Sequence, residues 1–91
     1  MKKFVYEVKV DWATQDDQNC DTTLYSSHEK ALKGFNAEKI QALQDYGFND
    51  DGTHDDQGYH IEHGKDYWCV WYDGFYCQSH CEITITKKEV L

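Results

Sequence analysis

From Phe4 to Trp12 the chain alternates without interruption. Phe4, Tyr6, Val8, Val10 and Trp12 fall on one side of an extended backbone, and Val5, Glu7, Lys9 and Asp11 on the other. A period of two is the mark of a half-buried strand. The polar stretch from Thr14 to Asn19 then reads as a turn. Residues 20–25 return as a second strand, with Cys20, Thr22 and Leu24 on one face.

The spacing changes after residue 25. Ser26 and Glu29 stand three apart, as in a capping box where the serine accepts from the glutamate backbone N–H. A helix is predicted to follow. Leu32, Leu43 and Tyr46 share one stripe at a period of 3.6, with Ala31, Phe35 and Ala42 flanking it. Gly34 falls on the opposite side; it costs about 1 kcal/mol relative to alanine and invites a break near residues 34–36. Gly47 is placed to end the helix in the left-handed conformation.

Residues 59–63 predict a short strand, and residues 67–72 form a continuous β-prone run, Tyr-Trp-Cys-Val-Trp-Tyr. Asp73-Gly74 follows that run and precedes another, which predicts a two-residue hairpin turn. The last strand then extends from Phe75 to about Val90, with a bulge near Ser79. The order is β-β-α-β-β-β. It predicts an α+β fold, an antiparallel sheet of four to five strands with one helix packed on one face. The length of 91 residues suits a single domain, 1–91.

A turn at Asp73-Gly74 also fixes a register. Trp71 pairs with Tyr76, Val70 with Cys77, and Trp68 with Ser79. One face then carries Trp68, Val70, Tyr72, Phe75, Cys77, Cys81, Ile83 and Ile85, the natural side for the helix. The other carries Tyr67, Cys69, Trp71, Tyr76 and His80. One helix covers one face, so Tyr67, Trp71 and Tyr76 are predicted to form an exposed patch of the kind that binds partners. A solvated sheet face selected for β-propensity alone would carry the same residues.

Charge sharpens this picture. The net charge is −8, from 17 acidic and 9 basic residues. That balance opposes direct nucleic acid binding and favours a protein partner with a basic surface. Asp50, Asp51, Asp55 and Asp56 concentrate the charge in one loop and complete the candidate binding site. The loop does not fit a calcium site, because taking Gly52 as its sixth position puts Gly47 first and Gly58 twelfth, where carboxylates are needed. The 3 Trp, 7 Tyr and 4 Phe supply the bulk that the core of a small domain needs. The N-terminal residues lack the apolar segment of a secretory signal, and no stretch approaches the ~18 apolar residues of a membrane span. A cytoplasmic protein with reduced thiols and no membrane association is expected.

Catalytic signatures are missing. There is no glycine-rich phosphate loop and no nucleophile elbow, so neither an enzyme nor a bound cofactor is expected. Cys77, His80 and Cys81 offer an alternative, a zinc or thiol-redox site. Zinc ordinarily takes four ligands, and here His80 points away from Cys77 and Cys81 unless the strand bulges. His54, His60 and His63 lie near acidic residues, but His60 and His63 would face opposite sides of a strand.

Three segments, Val5-Tyr6-Glu7-Val8-Lys9-Val10-Asp11-Trp12, Ser27-His28-Glu29-Lys30-Ala31-Leu32-Lys33 and Glu82-Ile83-Thr84-Ile85-Thr86, give the chain a layout that resembles small acidic proteins of phages and mobile elements, anti-CRISPR proteins among them. The resemblance implies an inhibitor that occludes a bacterial nucleic-acid-binding defence complex, in some cases by mimicking nucleic acid charge. Asp16, Asp17 and Asp45, with the aspartates of the loop, would supply that charge. No functional residue carries over, since the group shares no motif. A homodimer joined through the aromatic face is a further reading.

Overall fold

The computed structural model describes residues 3–14, 17–55, 58–73 and 78–90. The first alternating segment is strand β1, Lys3–Ala13, and it returns as β2, Gln18–Tyr25. Their register pairs Tyr6 with Tyr25 and Trp12 with Asn19. Val8 is buried, while Tyr6, Val10 and Trp12 pack half-buried against the same core. Every residue of β2 from Gln18 to Leu24 is exposed. Cys20, Thr22 and Leu24 do share a face, the one turned away from the core.

Helix α1, His28–Asp45, starts one residue later than the capping box suggests. Ser27, not Ser26, takes the extended cap conformation and accepts from Lys30 N at 3.2 Å. Lys30 stands where the box needs a carboxylate, so only the serine half of the motif forms. Glu29 lies in the first turn, where its charge suits the helix dipole. The helix runs unbroken through Gly34. Its end follows the sequence closely: Gly47 has φ +78°, its N–H reaches Gln44 O, and Phe48 N reaches Leu43 O. These are the paired bonds of a Schellman motif.

The inward stripe of α1 differs from the predicted one. Ala31, Phe35 and Ala42 are buried, whereas Leu32 is exposed. Ala31, fully buried, faces the sheet near the start of the helix, and the large leucine is left at the margin. Gly34 is on the packed side too, against the Tyr25 ring.

Three more strands complete the sheet: β3, Tyr59–Gly64; β4, Tyr67–Asp73; and β5, Gln78–Val90. All neighbours are antiparallel, in the order β2-β1-β5-β4-β3. This is the predicted α+β class. The helix connects edge strand β2 to edge strand β3 along the chain and packs on β5, β1 and β2.

The β4–β5 register corrects the two-residue turn. Asp73 pairs with Gln78, Trp71 with His80, Val70 with Cys81, and Trp68 with Ile83. Pairing is therefore displaced by four residues, and β5 runs through Ser79 in continuous register. Under the Asp73-Gly74 turn, Ile83 would have stood opposite Gly64, and Ile85 also beyond the start of β4. The observed register places Cys81 and Ile83 between Trp12 and Val10 of β1 and Val70 and Trp68 of β4. Burial of that row outweighs the local turn preference. Because the displacement is an even number of residues, the described side chains of Trp68, Val70, Cys81, Ile83 and Ile85 keep their predicted face. Phe75, Tyr76 and Cys77 lie outside the described residues.

Candidate functional site

The helix covers one side of the sheet only, and the opposite side follows from the register. Its rows are His60, Trp71 and His80; then Glu62, Cys69, Glu82, Asp11 and Cys20; then Tyr67, Thr84, Lys9 and Thr22. Tyr67 and Trp71 thus share the uncovered face, as predicted. They sit four residues apart on one strand, about 13 Å, with Cys69 between them. Tyr76, the third aromatic residue of the predicted patch, is outside the described residues.

Neither aromatic side chain is fully exposed. Trp71 is half-buried, and the His60 ring stacks on it at 5.3 Å with 25° between planes. Cys69 is buried, only 8% exposed, although it faces the open side. Its neighbours Tyr67, Trp71, Glu62 and Glu82 close over it. Burial pushes the Cys69 thiol up, partly offset by its hydrogen bond with Tyr67, and the carboxylates of Glu82 and Glu62 add to the rise. Tyr67 is raised by desolvation, by its bond with Cys69, and by the same negative neighbours. The patch is a half-packed surface beside the carboxylates of Glu62 and Glu82.

The acidic loop is ordered around its own hydrogen bonds. Asn49 N bonds Thr53 O, and Thr53 donates to Asp51 Oδ1 from its hydroxyl at 2.6 Å and from its backbone at 3.0 Å. Those bonds hold the Asp51 carboxyl below its ordinary value. Asn49 also donates to Asp55 Oδ1. Asp50, Asp51 and Asp55 are exposed, and Asp56 lies outside the described residues. His54 anchors the loop: its Nε2 meets Tyr46 O at 2.8 Å, and its ring lies 4.1 Å from that of Tyr59 and 4.8 Å from Phe48. The loop leads into Tyr59, which pairs with Tyr72, beside Trp71. The charged loop and the tryptophan therefore occupy the same end of the sheet.

The alternative metal set is dispersed. His80 is exposed on the uncovered face, and Cys81 is buried under the helix, as consecutive strand residues must be. Cys77 is outside the described residues. His60 and His63 also face opposite sides, and His54 is held among aromatic rings. Among the described residues, no group of three or more His, Cys, Asp or Glu could hold a metal ion.

One feature escaped the sequence reading. A cleft opens between the second half of α1 and the sheet, lined by Trp12, Asp21, Glu38, Asp45, Tyr46, Tyr59 and Cys81 among others. The signal for it was present. Glu38 and Asp45 continue the spacing of Ala31, Phe35 and Ala42, and carboxylates within a packed stripe mark a place where the helix stands off the sheet. Burial raises the Tyr46 hydroxyl, against the lowering effect of its hydrogen bond with Ser79.

No family model matches this chain, and neither a curated protein nor a solved structure matches it. Among the described residues, no helix is long and apolar enough to cross a membrane.

Proposed function

We propose that this protein is a small acidic binding module, without enzymatic activity, that docks its uncovered sheet face on a protein partner bearing a basic surface. The observation that carries the reading is the asymmetry of the sheet. One face is closed by α1, and the other presents Tyr67 and Trp71, half-buried, among Glu62, Glu82 and Asp11. Trp and Tyr are over-represented among binding hot spots, and the rim around such anchors is polar. Asp50, Asp51 and Asp55 would steer the encounter and Trp71 would anchor it. The mechanism is occlusion of the partner's own ligand surface.

The resemblance to phage and mobile-element proteins narrows the partner to a bacterial nucleic-acid-binding defence complex, whose basic groove suits a carboxylate-rich competitor. The test is capture from bacterial lysate by immobilised protein at low and high salt, with Trp71→Ala in parallel. A nucleic-acid-binding protein retained at low salt, released at high salt and lost with Trp71→Ala is expected. Its association rate should fall when Asp50, Asp51 and Asp55 become Asn. Retention indifferent to both salt and Trp71 would reject the reading. Sedimentation of the free protein tests whether the same face instead joins two copies.

A further inference from the structure

The cleft between α1 and the sheet has a volume of about 510 Å³, within the roughly 300–1,000 Å³ range of small-molecule sites. Val10 and Trp12 of β1 and Cys81 of β5 form its floor. Tyr46 and Tyr59 add aromatic surface, and Ala42 leaves room on the helix side. Three carboxylates from two elements line it: Asp21 of β2, and Glu38 and Asp45 of α1. Among the described residues, no lysine, arginine or histidine lines it. Asp45 accepts from Gln41 Nε2, and among the described residues none of the three carboxylates has an ion-pair partner.

This combination selects its occupant. Three exposed carboxylates without an ion-pair partner among the described residues, set around an apolar floor, favour positive charge. The Cys81 thiol at the floor registers that field: burial pushes it up to about 11, and the negative charges of Cys69, Glu38, Asp45 and Asp11 contribute further. A bare metal ion needs several oxygens converging on one point at ~2.0–2.6 Å, and no such group of side chains occurs among the described residues. An organic cation needs no such convergence. Its charge can lie between separated carboxylates and against aromatic faces, which attract cations through the ring quadrupole, while its carbon body covers apolar floor.

We propose that this cleft is a binding site for an organic cation, an ammonium or guanidinium head carried on an apolar body. Asp21, Glu38 and Asp45 hold the head, and Trp12, Tyr46 and Tyr59 contact the body. The proposal does not rest on the function assigned to the opposite face of the sheet.

The experiment compares 3-phenylpropylamine with 3-phenylpropan-1-ol, which has nearly the same shape and no charge, on the full chain by NMR titration. Saturable binding of the amine is expected, with the Trp12 indole resonance shifting. The alcohol should bind at least ~10-fold more weakly, the worth of one to two ion pairs at such a site. Glu38→Gln with Asp45→Asn should weaken the amine by about 5–20-fold and leave the alcohol unchanged. Asp50→Asn with Asp51→Asn should leave both unchanged, which separates the cleft from general acidity. N-acetylarginine amide, titrated alongside, distinguishes a free amine from an arginine side chain as the source of the cation. Asp21→Asn, on a different element, repeats the test should the helix variants disturb the fold. Equal affinity for amine and alcohol would overturn the proposal. So would an effect of the loop variant as large as that of the cleft variant.

Discussion

The ring of Tyr25 closes directly over Gly34, so near that a Cβ built on the glycine would stand 2.6 Å from Tyr25 Cζ. Carbon atoms in contact normally keep ~3.5–4.0 Å apart. Alanine in mid-helix ordinarily stabilises by about 1 kcal/mol over glycine. Here the tyrosine would have to swing out and give up its packing. Gly34→Ala is therefore expected to bring no gain in the native background, and a gain of ~0.5–1 kcal/mol once Tyr25 is Ser. A urea-denaturation double-mutant cycle measures this coupling. Equal effects in both backgrounds would show that the contact carries no energy.

Two tryptophans of β4 should behave differently. Trp68 is 4% exposed and faces the helix, so Trp68→Ala should cost ~3–5 kcal/mol. Trp71 is half-buried on the uncovered side, and Trp71→Ala should cost roughly 1–2 kcal/mol, since only part of its surface leaves contact. Thermal or urea unfolding decides the matter. A Trp71→Ala protein that fails to fold would place Trp71 in the core and remove it from any binding surface.

Stability should decline in alkali. The Cys81 thiol is raised from 9.0 to about 11 in the folded protein. Between those values the unfolded chain gives up its proton while the native state keeps it, so the native state binds more protons and stability falls as pH rises. The contribution is complete below about pH 9 and is lost through about pH 11. Tyr46 and Cys69 are raised too and act in the same sense. Urea midpoints measured from pH 7 to pH 10.5 should drop, with a shallower drop in Cys81→Val. A flat profile would contradict the burial of the thiol.

His28 joins the start of α1 to the β3–β4 turn: its Nε2 lies 2.9 Å from Asp66 Oδ1, and its ring meets Tyr6 edge-on at 5.6 Å. The pair is partly exposed, so His28→Ala should cost only ~0.5–1.5 kcal/mol, most of it from the ring contact. Asp66 has φ +57°. Asp66→Asn tolerates that conformation and should cost less than ~0.5 kcal/mol, whereas Asp66→Val should cost about 1–2 kcal/mol through backbone strain. Melting temperatures of the three variants test this order.

Much of the architecture was legible because alternation carries it. Phe4 to Trp12, and Cys81 to Ile85, announce their strands by period alone, and Gly47 announces the end of the helix. The helix face was misjudged because hydrophobic size was read as depth. Ala31 is fully buried, and the large Phe35 is buried as deeply as the small Ala42, so depth follows position on the stripe and not size; Leu32 falls one residue off that stripe. The β4–β5 register was hidden for a related reason. Asp73-Gly74 states a local preference, and the alignment of Ile83 with Trp68 and Val10 is a property of three strands together. On the uncovered face, the membership of Tyr67 and Trp71 followed from parity. The burial of Cys69 and the His60 ring on Trp71 did not, because both depend on which strands lie side by side.

Strands β1 and β5, far apart in sequence, meet side by side at the middle of the sheet, Lys3 against Val90 and Ala13 against His80. During synthesis β1 and β2 emerge early, yet β1 lacks a neighbour on its other edge until β5 follows. Until then a row of open backbone donors and acceptors along that edge of β1 stands unpaired. Closure also joins residues nearly a whole chain length apart, which makes folding slow for a domain of this size. The same adjacency offers a rearrangement. A short linker from β5 to β1, with new ends opened in the Asp50–Gly52 loop, would turn this most distant pairing into a local hairpin and let the centre of the sheet form first.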